Sequence, residues 1–383
     1  MSKAFAFYFP QYCAEPLNDE AWYPGFTDWD LIKNILVRNT KDHKTFLPKV
    51  GFYSQETKEV VTNQIMDAQR IGISGFCAYH YWFDGRIALD KPLELLKEAS
   101  IELGYSYLLC WANESWTKRW VGRSDETIIS QTYTMDETLV RKHVDYLSNH
   151  FSAPSYYRIE DRPVFFIYNP TSVGFMEILP MYRKVFASEG INPFLVSVET
   201  EFLTSPKLAH AFDMTIRFEP RAHFSHCRQR AGRQVYSAVK ITAKAFPWLT
   251  NFLTTRFIDR HKLYSYSNYS DYLTHSLANL KGRIKSGERT TTSLIFHWDN
   301  TPRYLGLASK FNGVTEELAY KNIRKVIDWV RDQDIPFFVI NAWNEWAEGA
   351  TLEQRELQDF DSSDVVSRAL ETNRSKFPSG QKL

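Results

Sequence analysis

The sequence predicts an α/β protein: a (β/α)8 TIM barrel with a long helical insertion after its sixth strand. Three observations predict it. Eight short, nearly continuous apolar runs recur along the 383 residues. Segments with apolar residues at three- and four-residue spacing separate them, as amphipathic helices would. The polar residues gather just beyond the C-terminal ends of the runs, and on that face barrels of this kind carry their active sites.

Taken in order, the runs are AFAFYFP (from Ala4), GFCAYHYW (from Gly75), YSYLLCWAN (from Tyr105), PVFFIYNP (from Pro163), NPFLVSVE (from Asn192), MTIRFEP (from Met214), TSLIFHWDN (from Thr292) and PFFVINAWNEW (from Pro336). Strands apolar on both faces belong in a parallel sheet covered on both sides. The helical segments between them are TKEVVTNQIMDAQRIG, KPLELLKEASIELG, DETLVRKHVDYLSNH, VGFMEILPMYRKVFASEG, FLTSPKLAHAF and EELAYKNIRKVIDWVRDQ. Several end in a charged turn and a Gly or Asp before the next strand. An open doubly wound sheet is the alternative. It would want a glycine-rich phosphate loop after the first strand, and YFPQYCAEP has none.

The length suits one catalytic domain over 1–383. Two segments break the alternation. ESWTKRWVGRSDETIISQTYT, after Trp111, reads as a loop capping the site. Residues 221–289 read as a basic, partly helical insertion; Arg221 to Lys262 holds nine Lys or Arg and one acid, Asp259. That stretch, 221–262, is either a helical insertion packed on the barrel or a peripheral membrane contact.

A net charge of +1 gives no field for nucleic acid, so no nucleic-acid partner is expected. The four cysteines form no C-x-x-C pair, and Cys77 and Cys110 lie inside apolar runs, where a thiol acts as a small hydrophobe. No run of 18 apolar residues occurs, and MSKAFAFYFPQY enters a strand without a leader pattern. The expected location is the cytoplasm, peripheral at the inner face of the membrane if 221–262 binds there.

The chemistry concentrates in INAWNEWAEG. Glu345 and Glu348 stand three residues apart at the end of a buried strand, so both can face one pocket. A carboxylate pair is what glycosidic bond cleavage requires. Trp343 and Trp346 would supply apolar walls, and Asn344 hydrogen bonds. The bland reading is a pair of capping or salt-bridged acids. WANESWTKRW offers Trp111, Asn113, Glu114 and Trp116 for gripping a sugar, or else a polar loop over buried tryptophans. YHYWFDGR offers His80, Tyr81 and Trp82, with His80 either a hydroxyl ligand or a satisfied core group. HWDNTPR offers Trp298, Asp299, Asn300 and Arg303, though Asp-Asn-Thr-Pro is also turn chemistry. Tyr12 ends the first run. No metal-ligand spacing such as H-E-x-x-H and no phosphate loop is present.

These strings resemble the WbsX-type polysaccharide-biosynthesis glycosyltransferases, which are similar to glycoside hydrolase family 99, an endo-α-mannosidase-like family. The resemblance rests on AFYFPQY with NDEAWYPGFTDW, GISGFCAYHYWFDGR, LLCWANESWTKRW, RPVFFIYNP, HWDNTPR and INAWNEWAEGATLEQ, in that order. It implies a barrel acting on glycans, with no cofactor or metal. It also implies that Glu345 takes the proton of the sugar's 2-hydroxyl, which attacks the anomeric carbon, while Glu348 is general acid and then base. The family's Asn-Trp is Ser115-Trp116 here, and nothing in the family pattern matches Arg221 to Lys285. The mannosidase members are typically exported or Golgi-resident, so the missing leader favours glycans assembled inside the cell. Three functions follow: a retaining glycoside hydrolase on an α-linked, mannoside-like glycan; a glycosyltransferase of cell-surface polysaccharide (O-antigen or capsule) biosynthesis; and a non-catalytic glycan-binding barrel. The partner in each is a glycan or glycan-lipid.

Overall fold

Strands buried on both faces have no stable edge in water, and here the eight remove their edges by closing on one another. A computed structural model describes residues 2–37, 45–118, 126–200, 210–231, 266–285, 287–304 and 308–376. The strands are β1 (Lys3–Tyr8), β2 (Gly75–Phe83), β3 (Ser106–Trp111), β4 (Arg162–Ile167), β5 (Phe194–Glu199), β6 (Met214–Arg217), β7 (Thr290–Leu294) and β8 (Phe337–Ile340). Each pairs in parallel with the next, and β8 pairs with β1 through Lys3↔Phe337 to Ala6↔Ile340. The expected (β/α)8 barrel is the observed one.

All eight apolar runs contain a strand. The first and fourth strands start one residue before their runs, at Lys3 and Arg162, and the seventh two residues before, at Thr290, because a buried Thr-Thr-Thr-Ser segment reads as polar in sequence. Its β-branched residues suit a strand. The Thr291 hydroxyl is satisfied by donating to Phe337 O at 2.6 Å.

Helices cover the outside: α1 (Trp29–Leu36), α2 (Lys58–Arg70), α3 (Asp90–Leu103), α4 (Glu137–Phe151), α5 (Phe175–Ser188), α6 (Arg221–Ala231), α7 (Glu316–Asp332) and α8 (Ser362–Lys376). Their starts carry the expected chemistry: Asp136 accepts from Thr138 N and Thr315 from Leu318 N, each using an otherwise unpaired first-turn donor. The expected helix FLTSPKLAHAF lies mostly outside the described residues, as does 221–289 between Ala231 and Tyr266. The described parts of that insertion are α6, a short strand at Tyr266–Asn268 paired with Lys310–Asn312, and helices at Tyr269–His275 and Ala278–Lys285. In the connection after β3, Trp116–Thr117 pairs with Thr127–Ile129. Among the described residues no helix is long and apolar enough to cross a membrane.

The barrel interior is filled with rings. Phe5 packs on Tyr157 and Phe337 at one level, with centroids 4.7 and 6.1 Å away. Above it Phe7 stacks on Tyr79 at 5.5 Å, and Phe218 touches both Phe7 and Tyr168. Side chains alternate across a strand, so the choice of residue 5, 7, 77, 79 and 81 as the inward set sends 76, 80 and 82 outward to the helices.

The Phe5 level also explains a glycine. A Cβ on Gly75 would stand 2.5 Å from both Phe5 Cε1 and Ser106 O. Gly75→Ala is expected to destabilise the barrel by about 2–3 kcal/mol through overpacking. Urea unfolding checks this, and an unchanged midpoint would contradict the packing described.

Candidate active site

The residues after β8 turn back across the top of the barrel. Trp343 N donates to Phe7 O at 2.7 Å. The Asn344 amide clamps the chain after β1, accepting from Phe9 N at 2.7 Å and donating to Phe9 O at 2.9 Å. Tyr12 OH donates to Asn344 O at 2.8 Å and accepts from Trp346 N at 3.2 Å. Asn344–Glu345 then pairs with Ala350–Thr351, and Trp346–Glu348 forms one 3-10 turn. Gly349 closes that turn at φ +62°, where a Cβ would also meet Asp299 backbone atoms at 3.0 and 3.1 Å. Asp299 N donates to Glu348 O at 2.9 Å. The turn carrying both glutamates is thus tied to the ends of β1 and β7.

Glu345 and Glu348 are buried and face one cleft. They share the guanidinium of Arg303, itself buried: Nη2 donates to Glu345 Oε1 at 2.5 Å and Nη1 to Glu348 Oε1 at 3.0 Å. Asp28 Oδ2 lies 3.5 Å from the same Nη2. Arg303 also lies over the Phe9 ring at 5.2 Å. Arg221 also approaches Glu348, its Nη2 3.9 Å from the same Oε1, with its guanidinium over the Tyr168 ring.

Burial dominates the electrostatics. It pushes the Glu345 carboxyl well above the usual range, against the pull of Arg303 and with a further push from Glu348 and Asp28. Burial likewise pushes Asp28 up to about 6, opposed by Arg303. Arg303 is held charged by the three carboxyls around it.

The walls are aromatic and polar together. Phe9, Tyr79, Tyr81, Trp116, Tyr168, Phe218 and Tyr304 present rings; Gln11, Glu114 and Arg221 present polar groups. Tyr81 meets Trp116 edge to face at 5.1 Å, and Asn169 Nδ2 steadies Glu114 Oε1 at 3.2 Å. Ring faces with a few fixed polar groups are what a small polyhydroxyl ligand needs.

Of the residues singled out from sequence, Tyr81, Glu114, Trp116, Arg303, Glu345 and Glu348 line this cleft. The others stand elsewhere, for physical reasons. His80 and Trp82 alternate outward from Tyr81 and pack on α4: His80 Nε2 is 2.8 Å from His143 Nε2, and Trp82 stacks on the His143 ring. Trp111 also faces out, against His143, Phe175 and Tyr182. Asn113 is spent on Tyr133 OH and on the Asn169 backbone, at 2.7–2.8 Å. Trp298 donates to Ser309 Oγ, Asn300 Oδ1 accepts from Ser309 N, and Asp299 caps Thr301 and pairs with Lys310. Tyr12, Asn344 and Trp346 hold the glutamate turn, and Trp343 packs on Phe76. Two further strand-end acids are also taken, Glu199 by Arg283 and Glu219 by Arg217.

Sequence reasoning missed Asp28, Tyr79, Tyr168 and Arg221. Asp28 precedes α1 and reads as its N-cap, yet its side chain makes no cap bond and faces Arg303 instead. Arg221 directly follows the sixth run, FEP, so the strand-end rule applied to it would have found it.

The fold and the site together define a (β/α)8 barrel protein with a buried carboxylate pair in a ring-walled cleft. Within that class, residues 4–361 match the family described as Glycosyltransferase WbsX, and the chain belongs to that family. Two proteins of Xanthomonas campestris pv. campestris, each described as an uncharacterized protein WxcX (strains B100 and ATCC 33913), are 28% identical over 360 residues, 91% of this chain. The chain spans about half, 46%, of the length of these relatives. Among solved structures, the GH99 endo-alpha-mannosidase of Bacteroides thetaiotaomicron aligns over 98% of both chains with a TM-score of 0.56 at 13% identity. A glycoside hydrolase-like protein aligns over 99% of this chain and 94% of its own, with a TM-score of 0.57 at 12% identity. These two likenesses establish the fold.

Arg303→Met tests the electrostatics. It removes the shared cation and leaves buried carboxylates uncompensated, at a cost of about 3–5 kcal/mol at neutral pH. Asp28 and Glu345 have raised folded-state pKa values, so the folded state holds protons the unfolded state has lost. Without Arg303 these carboxyls hold protons at higher pH still, so the variant's deficit in thermal unfolding shrinks as pH falls from the alkaline side toward about 6, where wild-type Asp28 takes up protons as well. A deficit that grows on acidification would refute the arrangement.

Proposed function

We propose that this chain is a retaining glycoside-bond enzyme acting on an α-linked, mannoside-like glycan, with Glu345 and Glu348 as its catalytic pair. The observation that supports this most is their convergence on one guanidinium inside a ring-walled cleft. In the first step Glu345 takes the proton of the sugar's 2-hydroxyl as that oxygen attacks the anomeric carbon. The glycosidic C–O bond breaks, and Glu348 gives its proton to the leaving oxygen. Water then opens the strained ring at the anomeric carbon, Glu348 accepting its proton and Glu345 returning one to the 2-oxygen. Two inversions give net retention with no ester to the enzyme, unlike the scheme in which one carboxylate is itself the nucleophile.

The base role of Glu345 has electrostatic support in its ionised form. A carboxylate whose pKa is raised by burial is a stronger base, as removal of a hydroxyl proton demands. Tyr81, Trp116, Tyr168 and Glu114 are proposed to hold the sugar, with Arg303 orienting both acids. The remaining sequence candidates (Tyr12, His80, Trp82, Trp111, Asn113, Trp298, Asp299, Asn300, Trp343, Asn344 and Trp346) act in this reading by supporting the walls and the glutamate turn.

A second reading has its own observation. Arg221 and Arg303 both approach Glu348, where the leaving group departs. A phosphate there would meet two guanidinium groups, and the same cleft would then transfer a sugar from a phosphate-linked donor to a growing polysaccharide. Incubation with nucleotide- or lipid-linked sugars and an acceptor separates the two; release of free sugar alone counts against transfer.

For the hydrolytic reading, Glu345→Gln and Glu348→Gln should each lower kcat on an α-linked oligosaccharide by about 10²–10⁴-fold with the fold retained. Glu348→Gln should lose less on aryl glycosides, whose leaving oxygen needs no proton. NMR of the first-formed anomer should show retention. The wild-type acid limb of kcat/KM should lie above an ordinary glutamate's pKa, since activity is lost when the raised Glu345 protonates. Full turnover by either variant would end the proposal.

A further inference from the structure

We infer that Glu353 is a positioning residue for the catalytic turn: its carboxylate grips Trp346, the residue between the two glutamates, and so fixes where both acids stand. Glu353 does not line the cleft. Its Oε2 accepts from Trp346 Nε1 and from Tyr53 OH, both at 2.7 Å, and its Oε1 accepts from Gln64 Nε2 at 2.6 Å. Gln64 cannot turn its amide over without loss, because its own Oε1 accepts from Tyr8 OH at 2.7 Å. Tyr53 is anchored in turn, its backbone O accepting from Trp29 Nε1 at 2.7 Å. Three separate pieces of chain therefore meet at one carboxylate, the segment before α2 through Tyr53, α2 through Gln64 and the glutamate turn through Trp346, and β1 joins them through the bond of Tyr8 to Gln64.

The consequence for the site follows from Trp346. Its backbone N–H is held by Tyr12 OH and its indole by Glu353, so the residue is fixed at both ends. Glu345 precedes it directly and Glu348 follows two residues later, in the same 3-10 turn. Small displacements of catalytic groups are expensive in rate. Three donors aim at the carboxylate, so an amide in its place must set an N–H₂ against a donor. The titratable groups facing it are Tyr8, Tyr12 and Tyr53, all pushed upward by burial and therefore neutral. Glu353 is thus the group whose charge changes there, and burial pushes it up to about 7 against the pull of its donors. The geometry is independent of the chemistry proposed above; only the effect on rate rests on that reading.

The test is the indole N–H resonance of Trp346 in ¹⁵N NMR of the full chain, identified by its absence in Trp346→Phe. In the wild type it should move with pH, with a midpoint near 7. In Glu353→Gln it should be displaced and no longer titrate. On an α-linked oligosaccharide, Glu353→Gln should lower kcat by about 10- to 100-fold with KM within about twofold. An indole signal indifferent to the substitution, or an unchanged kcat beside a displaced signal, would overturn the inference. If Glu353→Gln does not fold, Tyr53→Phe decides: loss of one donor to the ionised carboxylate should raise the indole midpoint, and an unmoved midpoint refutes the grip. If the wild type cleaves no glycan, the glutamate-pair reading fails while the indole titration still settles this one.

Discussion

One guanidinium organises the top of this barrel. Arg303 stands among Glu345, Glu348 and Asp28 in a region from which water is largely excluded. Charges there interact strongly and are costly to leave unpaired. Three carboxyls on one cation are more acid than a single positive charge can balance, and burial answers by raising Asp28 and Glu345 toward protonation. Arg221 contributes a second cation beside Glu348. A hydrophobic plug would serve stability better than such a cluster. Its presence at the barrel's C-terminal face is the local conflict that marks a site built for chemistry.

The architecture was legible in the sequence because closure needs strands buried on both faces, and an apolar run marks each of the eight even though β7 opens with Thr-Thr-Thr-Ser. The site was legible only in part. Strings such as His80-Tyr81-Trp82 show that a strand end is rich in functional side chains. They do not show which parity faces inward, because both faces of a barrel strand are buried. The inward set was fixed by ring packing around Phe5 and Phe7, which no local pattern reveals. Tyr81 therefore reached the cleft, while His80 and Trp82 went to α4.

The polar residues that missed the cleft show where the rest of the signal went. Asn113, Tyr12 and Asn344 look like ligands for sugar hydroxyls, yet their bonding capacity is used on the backbone of neighbouring loops. Loops that carry catalytic groups cannot rely on a ladder for rigidity, so side-chain amides and hydroxyls take that role. Residues of both kinds sit at the same strand ends and have the same chemistry. Only coordinates distinguish a group that waits for ligand from one already engaged. Asp28 is the converse case, a residue that reads as a helix cap and is instead aimed at Arg303.

The clamp of Asn344 on Phe9 joins residues 335 positions apart. The ribosome releases β1 long before β8 and the glutamate turn, so during synthesis the apolar inner face of β1 must wait for its partner strand. The cleft stays incomplete on the nascent chain until late, since Arg303 follows seven of the strands and both acids follow all eight. Any cellular factor that shields early barrel strands would thus govern how much competent protein accumulates, without ever touching the finished site.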